Sequence, residues 1–276
     1  MSNIVKVEIR DFLPLHTFDC GQCFRWKLQE DGSYIGIANN QAVRISMVGA
    51  TVEIEGITRS DYENFWKMYL DFDRDYSEIK KALSINDTMA KSVEFGNGIR
   101  ILRQEFFETL ISFIISQRSS IPKIKSCVEK LCTLYGAEIQ FKGKAFYTFP
   151  SAEKIASLSE EEIRSLGVGY RAPYILKAAQ SVASGEINAE ELEAMDTASA
   201  RKKLLSLYGV GDKVCDCVLL FSLGKYDLFP ADVWIKRVMA EEFECSDAKS
   251  AGETKFGSYS GFAQQYLFYW RKYNNV

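Results

Sequence analysis

The 276-residue chain carries a single histidine, His16. That argues against a Ser-His-Asp triad and against any metal centre built on imidazoles. Of its seven cysteines, Cys20 and Cys23 form the lone C-x-x-C, with no second pair to complete a zinc site. Cys127, Cys132, Cys215, Cys217 and Cys245 do not fall at cluster-binding spacings. The expectation is free thiols and no metal. No apolar run approaches the ~18–20 residues of a membrane span. Residues 1–12 alternate apolar with charged side chains and lack the basic start and apolar block of a signal peptide, so a cytoplasmic protein is expected. There is also no basic excess. The net charge is −3, which for the whole chain speaks against a nucleic-acid partner. The acidic surplus is confined to the first hundred residues, however, and local fields rather than net charge govern polyanion binding.

What is present divides at residues 57–60. Before that point the chain reads as strands at 5–9, 23–28, 33–38, 42–47 and 52–55. Asp31-Gly32 and Asn39-Asn40 sit between runs as hairpin turns. Beyond it the period becomes helical. Ser60-Asp61-Tyr62-Glu63 fits a capping box with Ser60 as N-cap. Residues 106–116 are almost wholly apolar, as in a buried central helix. Further helices are predicted at 121–135, 152–158, 160–166, 170–184, 189–194, 197–207, 213–223, 232–242 and 262–272. The predicted class is α+β: an N-terminal antiparallel sheet with a covering helix and connecting helices over 1–100, then an all-helical region over 101–276.

The densest local signal is Gly209-Val210-Gly211-Asp212-Lys213, followed by Asp232 in Phe229-Pro230-Ala231-Asp232-Val233-Trp234. Two helices joined by Gly-Val-Gly form a tight hairpin at about 197–223. Glycine permits positive φ and close backbone approach to a phosphate. The N–H groups of Gly209, Gly211 and Val214 at a helix N-terminus favour an anion. The same stretch equally fits an ordinary helix–helix loop with glycine at the C-cap. Lys213 reads either as a solvated lysine or as an amine nucleophile. Asp232 reads as an N-cap, a role that also keeps a carboxylate ionised where positive charge could develop.

At this point the chain resembles the helix-hairpin-helix DNA glycosylases, and more narrowly the eukaryotic-type 8-oxoguanine DNA glycosylases in a bacterial-looking form. Four segments spanning most of the chain carry the likeness: the hairpin 209–217 with Pro-Ala-Asp-Val, Gly21-Gln22-Cys23-Phe24-Arg25-Trp26, Leu166-Gly167-Val168-Gly169-Tyr170-Arg171-Ala172, and Gly261-Phe262-Ala263-Gln264 through Phe268. The resemblance implies that Lys213 attacks the sugar C1′ and holds it as a Schiff base, permitting β-elimination, with Asp232 as its electrostatic and proton partner. It implies that the Gly21 carbonyl accepts N7–H of 8-oxoguanine, that Cys217 and Phe268 sandwich the extruded base, and that Gln264 bonds its Watson–Crick edge. Tyr170 would wedge into the vacated stack, and Arg171 and Lys123 would reach the orphaned cytosine. No organic cofactor is implied. A monovalent cation at the hairpin carbonyls is expected when DNA is bound. The partner would be duplex DNA containing an oxidised guanine, met by a monomer and without a membrane.

Residue by residue, plain structural uses remain open. Phe268 sits in an aromatic helix, Cys217 suits a buried small apolar position, Gly21 could mark a bulge, and Tyr170 and Arg171 could begin a helix. Two positions depart from the family pattern. Arg118 stands where an asparagine contacts the estranged cytosine, and Lys123 replaces an arginine whose fork it cannot reproduce. A weaker preference for cytosine opposite the lesion follows. Trp234 replaces a phosphate-holding histidine. The competing readings are a glycosylase of the same superfamily for another damaged base, and a non-catalytic DNA tether.

Overall fold

A computed structural model describes residues 3–274. Five strands, β1 (Ile4–Glu8), β2 (Lys27–Leu28), β3 (Tyr34–Ala38), β4 (Gln41–Val48) and β5 (Thr51–Glu55), form an antiparallel sheet in the order β1-β5-β4-β3-β2. Asn39 and Asn40 both take positive φ, as a two-residue hairpin turn demands. Val43, Ile45, Val52 and Ile54 are fully buried on one face. They pack against Phe18 of a short helix (Pro14–Phe18) and against Tyr62, Trp66 and Tyr69 of the helical segment after β5. These two segments are the expected cover.

Only Lys27–Leu28 of the strand predicted at 23–28 is laddered. Gln22, Cys23, Phe24, Arg25 and Trp26 are all buried, so the segment has no solvent face and no alternation. Side chains hold it in place of a ladder. The Gln22 amide donates to the carbonyls of Thr17 (2.9 Å) and Arg100 (2.8 Å) and accepts from Leu102 N–H (2.9 Å). Trp26 stacks on Phe18 at 3.9 Å between centroids and fills the space over Gly36, where an added Cβ would lie 2.3 Å from the indole.

Two local expectations are corrected. The N-cap of the first helix after the sheet is Thr58, not Ser60: Thr58 and Asp61 close the reciprocal capping box, so the helix starts two residues earlier. The region after residue 101 is not all helical. Strands β6 (Glu138–Phe141) and β7 (Lys144–Tyr147) form a hairpin around Lys142 and Gly143, both at positive φ. Phe141 lies over Gly56, seating this hairpin on the sheet. Helices at Tyr76–Leu83, Asp87–Phe95 and Ala248–Phe256 also form, each with a side-chain N-cap (Asp75, Asn86, Asp247).

A second apolar core takes in Cys20, Phe24 and residues from Tyr76 onward and encloses the central helix Phe106–Ser116, whose Leu110, Ile111 and Ile114 have no exposure. The helices Ile121–Tyr135, Ala172–Ala183, Asp212–Leu223, Val233–Phe243 and Ser260–Tyr273 surround it. Among the described residues no helix is long and apolar enough to cross a membrane, and no group of three or more His, Cys, Asp or Glu could hold a metal ion.

Candidate active site

The C-terminal end of the central helix, the N-terminal ends of three others and one face of the last helix surround a cleft of about 1030 Å³. Its base is set by the hairpin. The helix Thr197–Leu205 turns through Gly209, at φ +83, into Asp212–Leu223. Glycine is required at 209 twice over, because a Cβ there would also lie 2.2 Å from the Tyr174 ring. From Val214 to Leu223 every residue of the second helix is buried, so its first turn is fixed rigidly. The N–H groups of residues 212–214 lack a carbonyl one turn earlier. Within the turn, Val210 N–H bonds the Leu207 carbonyl at 3.1 Å.

Arg201, Lys202, Lys236 and Arg237 are basic residues near this turn, but Arg201 is not free for a phosphate. It pairs with Asp212 and, at 2.7 Å, with Asp216, a fully buried carboxylate also bridged to Lys249. This cluster ties three helices together. Lys202, Lys236 and Arg237 remain exposed.

Lys213 projects from the hairpin into the cleft. Its ammonium lies 3.5 Å from Ser116 Oγ and 4.7 Å from the Phe113 ring centroid, and it forms no ion pair among the described residues. Asp232 faces the same cleft as N-cap of Val233–Phe243, with Oδ1 accepting from the N–H of Trp234 (3.0 Å) and Ile235 (2.9 Å). The cap function anticipated from sequence is therefore present, and the carboxylate still borders the cavity. Trp234 lines the cleft and stacks under Arg237.

On the opposite wall Gly21 takes φ +85, and a Cβ would stand 3.0 Å from Phe268 Cε1 and 3.5 Å from Ile121. Gly21 is thus a left-handed turn pressed against Phe268 rather than a bulge in a ladder. Gln265 anchors this turn to the last helix by donating to the Cys20 carbonyl at 2.7 Å. Cys217 closes the wall between the two sides. Burial pushes its thiol up to about 11, against the pull of Lys213, so it stays a neutral, apolar surface. Gln264 is 5 % exposed, and its Oε1 is buried with no partner among the described residues. A native protein rarely leaves such an acceptor unpaired.

Arg118 lines the cleft mouth on a left-handed backbone, φ +49. Lys123 lies outside the cleft, with Nζ beside Gly167. Tyr170 and Arg171 also lie outside the cleft lining. Tyr170 is 47 % exposed and packs edge-on to Tyr174, which in turn meets Tyr208. Arg171 lies over the Tyr170 ring and donates to the carbonyls of Gln117 (2.7 Å) and Val168 (2.9 Å). Gln117 itself donates to the Gly209 carbonyl at 3.0 Å. One residue thus joins the loop before Ile121, the Gly169–Arg171 turn and the hairpin. Nothing in a single sequence marks Gln117 for this part. Lys272 is a further cleft residue, and its sequence signal is its spacing, four residues after Phe268 and eight after Gln264.

Residues 4–110 match the family model of the 8-oxoguanine DNA glycosylase N-terminal domain, and residues 111–260 match that of the HhH-GPD superfamily of base excision DNA repair proteins. The chain belongs to the HhH-GPD superfamily. Its N-terminal sheet marks the 8-oxoguanine DNA glycosylase branch. N-glycosylase/DNA lyase OGG1 of Arabidopsis thaliana is 30% identical over 93% of this chain and 76% of its own length. A probable N-glycosylase/DNA lyase of Methanothermobacter thermautotrophicus is 32% identical over 65% of each chain. The chain thus spans just under two thirds of that relative. The crystal structure of Clostridium acetobutylicum 8-oxoguanine glycosylase/lyase, in complex with double-stranded DNA containing cytosine opposite 8-oxoG, superposes with a TM-score of 0.96 at 42% identity, covering 100% of this chain and 96% of that one.

Proposed function

We propose that this HhH-GPD protein excises 8-oxoguanine from duplex DNA and then cleaves the resulting abasic site. The observation that carries the reading is the convergence of Lys213, Asp232 and the unpaired Gln264 carbonyl on one cleft. In its amine form Lys213 attacks C1′ of the extruded nucleotide. The C1′–N9 bond breaks, and its electron pair leaves with the base. Asp232 stabilises the positive charge that develops on the sugar and assists the Lys213 proton. The resulting Schiff base acidifies the 2′ position, and β-elimination breaks the strand.

The base lies between Phe268 and Cys217. Gln264 satisfies its orphan acceptor on the Watson–Crick edge of the base, and the Gly21 carbonyl accepts N7–H. Guanine carries a lone pair at N7, so it would leave that carbonyl unpaired and repelled. The hairpin amides of Gly209, Gly211 and Val214 hold a backbone phosphate, joined by Trp234, and hairpin carbonyls take a monovalent cation when DNA is bound. Tyr170 fills the gap in the stack, beside Arg171, Arg118 and Lys123 on the opposite strand. The protein acts as a monomer on cytoplasmic DNA, in keeping with seven free cysteines, all buried except the partly buried Cys245.

The test compares wild-type protein with Lys213→Gln on a lesion duplex. The reading predicts unchanged binding and lost excision. Full excision by the variant overturns the lysine mechanism. Binding with no excision by either protein favours the tether.

A further inference from the structure

The last helix presents Gln264, Phe268 and Lys272 at intervals of four, and all three line the cleft. That spacing sets side chains one above another on a single helix face. The stripe that would bind the lesion base therefore continues one turn further and ends in a cation. The Lys272 ammonium lies 5.2 Å from the Phe268 ring centroid and 4.9 Å from that of Tyr273. It forms no ion pair among the described residues. Burial holds it below the usual lysine range, and the Asp232 carboxylate opposes that shift. Three lysines line the cleft; Lys236 is exposed, whereas Lys213 rests on Phe113 and Lys272 on Phe268, each without a carboxylate in contact among the described residues.

We propose that the two cations divide the reaction, Lys213 acting on the sugar and Lys272 stabilising the departing base. The inference rests on the excision reaction proposed above. In that reaction the C1′–N9 bond breaks heterolytically, and the electron pair goes to the base. Nζ of Lys213 forms the new bond to C1′ and gives up a proton. The base leaves as an anion, its charge spread over the ring and its carbonyl oxygens, and takes a proton from solvent afterwards. A base stacked on Phe268 lies within the field of the ammonium that caps the same ring. Beside a half-buried ammonium that field is screened less than in bulk water, and its benefit grows with the charge on the leaving base. Unpaired lysine is suited to this, because a carboxylate partner would cancel the field. The strand-cleavage step takes place after the base has lost its bond to the sugar and gains nothing from the same charge.

The experiment measures two single-turnover rates for wild type, Lys272→Gln and Lys272→Arg: base release from an 8-oxoguanine·cytosine duplex, and strand cleavage of the same duplex carrying a preformed abasic site. The expected result is base release slowed about tenfold in Lys272→Gln, less than the ~10²–10³ of a direct oxyanion donor because the cation is only half-buried. Abasic-site cleavage stays within about twofold, and Lys272→Arg restores most of base release. Equal base release by wild type and Lys272→Gln overturns the proposal. So does a parallel loss in both reactions, which marks a merely structural lysine. No base release by the wild-type protein overturns the proposed function, and this inference with it.

Discussion

On one side of the cleft, Lys213 and Asp232 stand in or at the first turn of two helices; on the other, Gly21 sits in a segment without regular structure. The helical side is positioned by backbone. Everything beyond Val214 in the hairpin's second helix is buried, and Asp232 caps the helix that carries it. Its functional atoms then have few contacts of their own, as the 3.5 Å approach of Lys213 to Ser116 illustrates. The sheet side is positioned by side chains: Gln22 and Gln265 pin the turn, and Phe268 meets the bare Cα of Gly21. Substitutions on the helical side should therefore abolish chemistry and spare stability. On the sheet side stability and lesion choice should fall together.

The sharpest separation is expected at Lys213. Lys213→Gln should lower base release by at least ~10³-fold while the thermal midpoint stays within about a degree of wild type, since a half-buried lysine without an ion pair holds little of the fold. At Asp232 the cap and the chemistry can be split. Asparagine caps as well as aspartate, so Asp232→Asn should keep stability yet reduce release ~10²–10³-fold. Asp232→Ala should lose about 1 kcal/mol of stability as well. Chemical denaturation beside single-turnover kinetics reads both quantities. If Asp232→Asn were as active as wild type, the carboxylate would be a cap and nothing more.

On the sheet side, Gln22→Leu removes a buried amide that satisfies two carbonyls and one N–H, and should cost about 3 kcal/mol in urea unfolding. Gln264 breaks the pattern in an informative way. Its Oε1 is already unpaired, so Gln264→Met should leave stability unchanged or raise it by up to ~1 kcal/mol. The same change should weaken binding of a lesion duplex about tenfold. A clear loss of stability would mean that the acceptor has a partner in the free protein after all.

The smallest effect concerns the opposite strand. With Arg118 on a left-handed turn and Lys123 beside Gly167, excision opposite C, A, G and T should differ by less than about tenfold. Arg118→Asn, which suits that backbone better, combined with Lys123→Arg should widen the preference for cytosine. A strong preference for cytosine in the wild-type protein would contradict this.

The same contrast governs what the sequence disclosed. Helix ends were legible because caps and glycine turns are local chemistry: the Gly209 hairpin and the Asp232 cap follow from a few adjacent residues. Of the four legible strands, β1, β4 and β5 alternate buried residues with more accessible ones, whereas β3 is buried or partly buried throughout and is marked by the Asp31-Gly32 and Asn39-Asn40 turns that flank it. Of the strand expected at 23–28 only Lys27–Leu28 forms, because residues 23–26 are buried on all sides, and the ties of the preceding turn to Thr17, Arg100 and Gln265 are tertiary. The β6–β7 hairpin has only its Lys142-Gly143 turn to mark it within an otherwise helical stretch. Thr58 lost out to Ser60 because both start a box of the same spacing. Lys272 was within reach of helical periodicity. Gln117 was not, since its role consists of a side-chain bond to one segment and a carbonyl bond to another.

The most direct test of the account is borohydride reduction of the protein on a duplex carrying one 8-oxoguanine opposite cytosine. The account predicts a covalent protein–DNA product that is absent with Lys213→Gln and with undamaged duplex. Base release with no trapped product would contradict it, leaving water as the nucleophile and Asp232 as its partner.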